Sequence, residues 1–207
     1  MANLEKKENA RTKLLNAAMG VVREKGYTAT SVDELCEAAG VTKGAFFHHF
    51  KSKEDLAVAA ANYWSEVTGH LFASAPYRKL ADPLDRVFGY LDFRAALVRG
   101  TVPEFTCLVG TMVQEAYSTN PAIRDACQRS IFGHAAEVAK DIAAAKAARV
   151  PHAKWDPESV ALHTQAVIQG AFILAKAKDD SEVATESIGH LRRYIEFLFH
   201  EKPKEKT

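Results

Sequence analysis

Between Thr42 and Lys53 the chain carries side chains suited to holding and reading a polyanion. Thr42, Lys43, His48 and His49 are hydrogen-bond donors for phosphates or base edges, while Gly44 and Ala45 are small enough to let backbone approach a groove. Phe46 and Phe50, at i and i+4, pack inward. Phe47 falls outward, and two readings stay open for it: partial burial against the next helix, or contact with a sugar or a thymine methyl. Lys53 sits in the first turn of a following helix, where a cation opposes the helix dipole unless an anion faces it. A phosphate would be that anion. Elsewhere the sequence spells out no reaction. It has no HExxH, no Gly-rich phosphate loop and no pair of metal-ligand motifs, and His134 with Glu137 three residues later stands alone. Neither catalysis nor a metal or cofactor is expected.

The elements that must position these residues are helical. Leu14, Ala18, Val21 and Val22 follow the i, i+4, i+7, i+8 spacing of an amphipathic helix that Gly26 ends. Ser31 with Glu34 forms a capping box, and Val32, Leu35, Cys36 and Ala39 make the apolar face of a second helix. Gly40 supplies a tight turn, Val41 fills the angle between helices and Thr42 caps a third. This is a helix-turn-helix, in which the second of the paired helices enters the major groove and the first crosses the backbone. Net charge over the chain is only +1, so any basic surface is local; residues 1 to 30 hold six basic side chains against three acidic ones.

The run from Arg11 to Leu56, RTKLLNAAMGVVREKGYTATSVDELCEAAGVTKGAFFHHFKSKEDL, resembles the DNA-binding domain of the tetracycline-repressor (TetR) family of bacterial regulators. The resemblance implies that Thr30 and Ser31 contact phosphate at the start of the second helix. It implies that Thr42, Lys43, Gly44, Ala45, Phe47 and His48 face the groove, with His49 and Lys53 on flanking phosphates. At position 47 the family usually carries tyrosine; phenylalanine there removes a phosphate hydrogen bond and leaves apolar contact only.

The rest of the chain is punctuated differently. Proline is absent before Pro76, and three helix starts then share one grammar: Asp82-Pro83, Asn120-Pro121 and Asp156-Pro157 each place an Asx cap before a proline. Helices are predicted over 9–25, 31–39, 42–50, 53–74, 83–99, 104–118, 121–148, 157–178 and 181–200. The fold class is all-α: residues 1–55 form a three-helix helix-turn-helix domain, joined by a long helix to a ligand-binding and dimerisation domain over 56–200, with a flexible tail at 201–207. With 47% hydrophobic residues the chain can bury a sizeable core, and the three cysteines, odd in number and widely spaced, read as reduced thiols. No apolar run approaches the roughly 18 residues a membrane span needs, and the opening MANLEKKENARTK lacks a secretory signal's apolar stretch. A cytoplasmic protein that does not enter membranes is expected.

In the last helix Ile188, Leu191, Ile195 and Leu198 form one apolar stripe while Tyr194, Phe197 and Phe199 fall outside it, and the helix before it is apolar on more than one side too. Two burial partners are implied, the chain itself and a second copy. Val167, Ala171, Leu174, Leu191, Tyr194, Ile195 and Leu198 are the candidate homodimer interface, in line with the four-helix bundles through which members of the resembled family dimerise. The middle helices hold surplus aromatic volume for a ligand pocket, whose candidate walls are Trp64, Phe88, Phe93, Met112, Phe132 and Phe172. Candidate polar anchors are Thr111, Glu115, His134, Gln165 and Gln169. Cys107, near a helix start, is a candidate sensor thiol, with burial as a small hydrophobe the alternative. The expected function is transcriptional regulation: a repressor dimer on a palindromic operator of double-stranded DNA, released by a small apolar or amphipathic effector. The helix from Lys53, with Tyr63, Trp64, Leu71 and Phe72 reaching the second domain, is the expected lever. A DNA-binding regulator that responds through Cys107, or has no effector, is the competing reading.

Overall fold

The computed structural model describes residues 9–200, so the expected tail at 201–207 and the basic residues Lys6 and Lys7 lie outside the described residues. Those residues form α-helices with no strand among them: α1 (Ala10–Lys25), α2 (Val32–Ala39), α3 (Lys43–His49), α4 (Lys53–Ala73), α5 (Pro83–Ala96), α6 (Val102–Phe105), α7 (Leu108–Ala116), α8 (Pro121–Arg149), α9 (Pro157–Lys178) and α10 (Glu182–His200). A 3₁₀ turn at Pro76–Lys79 precedes α5.

Local chemistry sets the boundaries where the sequence says it does. The side chains of Asp82 and Asp156 accept hydrogen bonds from Leu84 N and Ser159 N, and Asn120 Oδ1 accepts from Ile123 N. Ser31 and Glu34 complete the capping box of α2, which Gly40 closes in the left-handed region at φ 61°, its N–H on Cys36 and Glu37 carbonyls. The predicted helix over 104–118 is instead broken: α6 is a single turn begun at Val102, with Pro103 second, and Thr106 is extended before α7 starts.

The chain forms two compact units whose sequence is interleaved. One unit runs through Val67 and takes in Leu108–Ser130; the other comprises Thr68–Cys107 and the chain from Ile131. In the first, Leu14, Leu15, Ala18 and Val22 of α1 are buried with Leu35, Cys36 and Ala39 of α2 and Phe46 of α3. Each fully buried Leu or Phe here stabilises the unit by roughly 1.5–3 kcal/mol. Leu108, Val109, Met112 and Ala116 of α7 are buried as well, and α7 packs against α1. None of the three cysteines forms a disulfide among the described residues; Cys36 and Cys127 are buried and Cys107 is half-buried.

In the second unit α10 packs on α9 and α5 around a core of Tyr90, Leu91, Ile142, Ile168, Ile188, Leu191 and Ile195. By length and composition α9 is apolar enough to cross a membrane, contrary to the expectation that no segment is. One side of α9 packs into this core, where Val160, Ala161, Ile168, Ala171, Phe172 and Ala175 are buried with Thr164 and Gln165.

Candidate functional site

The outward face of α3 is open. Thr42 caps the helix by accepting from Ala45 N, and Lys43 is paired with Asp33 of α2 at 2.7 Å, both side chains more than 60% exposed. Asp33 raises the Lys43 pKa, so the side chain stays an ammonium at neutral pH. A pair this exposed contributes little to stability, so another anion can replace Asp33 at small cost. Gly44 and His48 are exposed, Ala45 and His49 half-exposed, and the two imidazoles meet edge to face with centroids 4.9 Å apart. Phe47 touches Phe46 edge to face and stays 57% exposed.

Behind this face the turn from Gly26 to Ser31 is held from two sides by contacts within the chain. Thr30 is buried, and its hydroxyl donates to Gly26 O at 2.6 Å, closing the turn. Ser31 is exposed, with its hydroxyl committed to the capping box with Glu34. Lys53, expected on phosphate, donates from Nζ to Thr30 O at 2.9 Å and Tyr27 O at 3.2 Å, and lies 4.5 Å from the Tyr27 ring centroid. Backbone carbonyls, not an external anion, face the cation in this first helical turn. On the other side Glu115 of α7, expected as a ligand anchor, accepts from Thr28 N at 2.7 Å and Tyr27 N at 3.2 Å. Gly26 is required twice over: its φ is +92°, and a Cβ there would run into the Glu115 carboxylate. Burial, followed by the charge of Glu54, pushes the Tyr27 phenol up to about 12.

The second unit contains a cavity of about 290 Å³ lined by residues from the end of α4, the 3₁₀ turn, α5 and α8. Phe72, Tyr77 and Tyr90 form its aromatic wall, with Phe72 5.7 Å from Tyr90 and Tyr77 6.0 Å from Tyr90 between centroids. Gln165 of α9 donates to Tyr90 Oη at 3.1 Å, and Tyr90 Oη lies 3.0 Å from His134 Nε2. Burial, aided by the charge of Arg94, pulls the His134 pKa down to about 3. Toward solvent Arg78 and Arg86 share Asp141, at 2.6 and 2.8 Å. Burial pushes the Tyr77 phenol up to about 12.

Of the expected ligand residues, His134 lines this cavity and Gln165 reaches it through Tyr90. Phe93, partly buried, packs on Phe72 and Tyr77, Phe105 contacts Phe172, and Arg192 lies over Phe88. Gln169 is half-buried on α9, and Phe132 is exposed. Trp64, Thr111, Met112 and Glu115 fall in the first unit, where Met112 is core and Arg23 lies over the Trp64 ring. They are not part of this cavity. Trp64 and Tyr63 therefore do not carry α4 into the second unit; Leu71 and Phe72 do. The residues that sequence reasoning missed, Tyr77, Arg78, Arg86, Tyr90 and Asp141, carry no motif; only the clustering of charge and aromatic types over 77–94 was available as a signal.

The candidate dimer residues divide as well. Leu191, Ile195, Leu198 and Ala171 point into the chain's own core, Val167 is half-buried, and Leu174 and Tyr194 are exposed. With Leu162, Ile173 and Phe197 they leave an apolar surface on α9 and α10, and His163, on the α9 face that carries Leu174, meets Tyr194 at 5.0 Å.

The model for the "Tetracyclin repressor-like, C-terminal domain" matches residues 83–191, more than half of the chain, and that for "Bacterial regulatory proteins, tetR family" matches residues 14–60. The chain belongs to the TetR family. This TetR-family protein is accordingly a DNA-binding transcriptional regulator and not an enzyme. It is similar to the Transposon Tn10 TetC protein of Escherichia coli, 56% identical over 43 residues, covering 21% of this chain and 22% of that one. It is also similar to the HTH-type transcriptional regulator CymR of Pseudomonas putida, 32% identical over 120 residues, covering 58% and 56% of the two chains. The matched segments thus span less than two thirds of either relative. Among solved structures, regulatory protein TetR from Rhodobacter sphaeroides superposes with a TM-score of 0.79 at 25% identity, covering 89% of this chain and 98% of that one.

Proposed function

We propose that this TetR-family regulator is a cytoplasmic repressor that binds a palindromic operator as a homodimer and releases it when a small apolar or amphipathic molecule enters the cavity of the second unit. The observation that carries the reading is the aromatic-walled cavity, the kind of site in which proteins bind small molecules. Lys43, Gly44, Ala45, Phe47 and His48 on the open face of α3 enter the major groove, with Thr42 and His49 on neighbouring phosphates. The exposed apolar surface of Leu162, Ile173, Leu174, Tyr194 and Phe197 is what a second copy covers, since patches of large apolar side chains mark association sites. Dimerisation sets two reader helices about 34 Å apart, or a multiple of that, on successive half-sites.

Coupling runs through α4. Its start belongs to the DNA-binding unit, while Gly69, Phe72 and Ala73 at its end line the cavity. A ligand that displaces this end shifts the equilibrium by the differential binding it makes, and typical couplings of about 5- to 150-fold in affinity suffice for a switch. The test fills the cavity. Gly69 is exposed and an added Cβ meets nothing within 4 Å, so Gly69→Leu is accommodated. Anisotropy of a labelled operator, selected from random DNA, should show a variant that binds but is no longer released by an effector found in a ligand screen. Release at the wild-type effector concentration would overturn the location.

A further inference from the structure

Resting on the reading that an effector occupies this cavity, we infer that the effector is a small aromatic carboxylate, its ring against Phe72, Tyr77 and Tyr90, its carboxylate on Arg78, and a hydrogen-bond acceptor on the ring facing His134.

The charge balance of the wall favours an anion. Arg78 and Arg86 both bind the one carboxylate of Asp141, and the other acidic side chain of the lining, Glu137, is held by Lys140 at 2.6 Å. Arg86 is fixed in place by three hydrogen bonds, from Nε to Asp141 and from Nη1 to the carbonyls of Leu80 and Ala81. Arg78 reaches Asp141 through Nη1, and its remaining N–H groups make no further hydrogen bond among the described residues. Behind the aromatic wall the Arg94 guanidinium lies 5.1 Å from the Phe72 centroid and 5.9 Å from that of Tyr90, with no acidic partner among the described residues. Its Nε is buried without an acceptor. Three guanidinium groups thus face or back a pocket in which a single carboxylate is shared between two of them. A ligand carboxylate beside Asp141 completes that balance, and Arg78, the more exposed of the pair, is free to form the charge-assisted contact.

Hydrogen bonding fixes the second feature. With Gln165 Nε2 donating to Tyr90 Oη, the arrangement that also uses the Tyr90 proton sends it to His134 Nε2 and leaves the imidazole's own proton on Nδ1. No hydrogen bond from Nδ1 is found among the described residues. The low pKa keeps His134 neutral over the physiological range, so it offers one N–H donor and no charge. A ring hydroxyl or carbonyl oxygen satisfies it. At about 290 Å³ the cavity lies at the small end of the roughly 300–1,000 Å³ range of ligand sites, which limits the occupant to one or two rings.

The full-length protein is titrated calorimetrically with 6-hydroxy-2-naphthoate, its neutral amide, and the corresponding aminomethyl cation. The acid is expected to bind at least about tenfold more tightly than the amide, with the cation weakest. Arg78→Gln should bring the acid to the level of the amide without moving the amide. Removing the 6-hydroxyl should weaken binding to the wild type and change nothing in His134→Phe, which keeps a ring in place. Equal or tighter binding of the amide, an unchanged acid affinity in Arg78→Gln, or no binding of any of the three overturns the carboxylate assignment. If the amide or the cation binds and Gly69→Leu blocks it, the ligand class falls while the effector site stands. If tight binding of the acid survives Gly69→Leu, the site itself falls.

Discussion

Gly44 separates the stability of α3 from its use on DNA. It is the second residue of the helix, with an ordinary helical backbone, and a Cβ built on it meets only Thr42 Oγ1, at 3.7 Å, an ordinary contact. Nothing within the chain requires glycine there. Replacing Gly by Ala in a helix contributes about 0.5–1 kcal/mol, chiefly by restricting the unfolded chain. For a protein of this size that corresponds to a rise of roughly 1–4 °C in melting temperature. On DNA the sign reverses, because the added methyl stands on the exposed face where backbone would approach the groove. Loss of one close contact of about 1–2 kcal/mol weakens operator binding by a factor of about 5–30. Differential scanning fluorimetry and anisotropy on the selected operator measure both quantities on one sample. A Gly44→Ala protein that melts higher and binds as well as wild type would refute the placement of the start of α3 in the groove. A lower melting temperature would refute the claim that the glycine has no structural task.

Lys53→Met, which keeps the stem and removes three carbonyl contacts, should destabilise the protein by about 2 kcal/mol, read as an earlier urea midpoint with unchanged slope. Leu174→Asp should give folded monomers in sedimentation that fail on a palindromic site, whereas Leu191→Asp, placed in the core, should not fold; dimers from the first would move the interface elsewhere. His134 titrates near 6.5 when unfolded and about 3 when folded, so the unfolded state binds the extra proton between those values. Stability from this residue is therefore intact above pH 6.5 and declines by up to about 1.4 kcal/mol per unit as pH falls toward 3. Urea melts of wild type and His134→Gln at pH 7 and 4.5 should converge at the lower pH, and parallel losses would show that the imidazole is not the group responsible.

What the sequence disclosed is what short-range chemistry decides. The Asx-Pro starts of α5, α8 and α9, the Ser31–Glu34 box and the Gly40 turn depend on residues three or four apart, and all stand where expected. Periodicity announced that Leu191, Ile195 and Leu198 are buried but could not say against what, and the chain's own α5 and α9 claimed them. The cavity draws on positions from Gly69 to Asp141, brought together only by packing, so Tyr77, Tyr90 and Asp141 gave no local sign. Lys53 was noticed for the right reason, a cation against a helix dipole; the compensating partner was a distant stretch of backbone that no spacing rule reveals. Glu115 was misassigned for the same reason, its partners lying 87 and 88 residues away.

The interleaving of the first unit also orders events during synthesis. Its three amino-terminal helices leave the ribosome early, but the surface of α1 that receives α7 stays uncovered, and the amides of Tyr27 and Thr28 stay without Glu115, until that later stretch emerges. A nascent or prematurely terminated chain therefore presents a reader helix on an unfinished base.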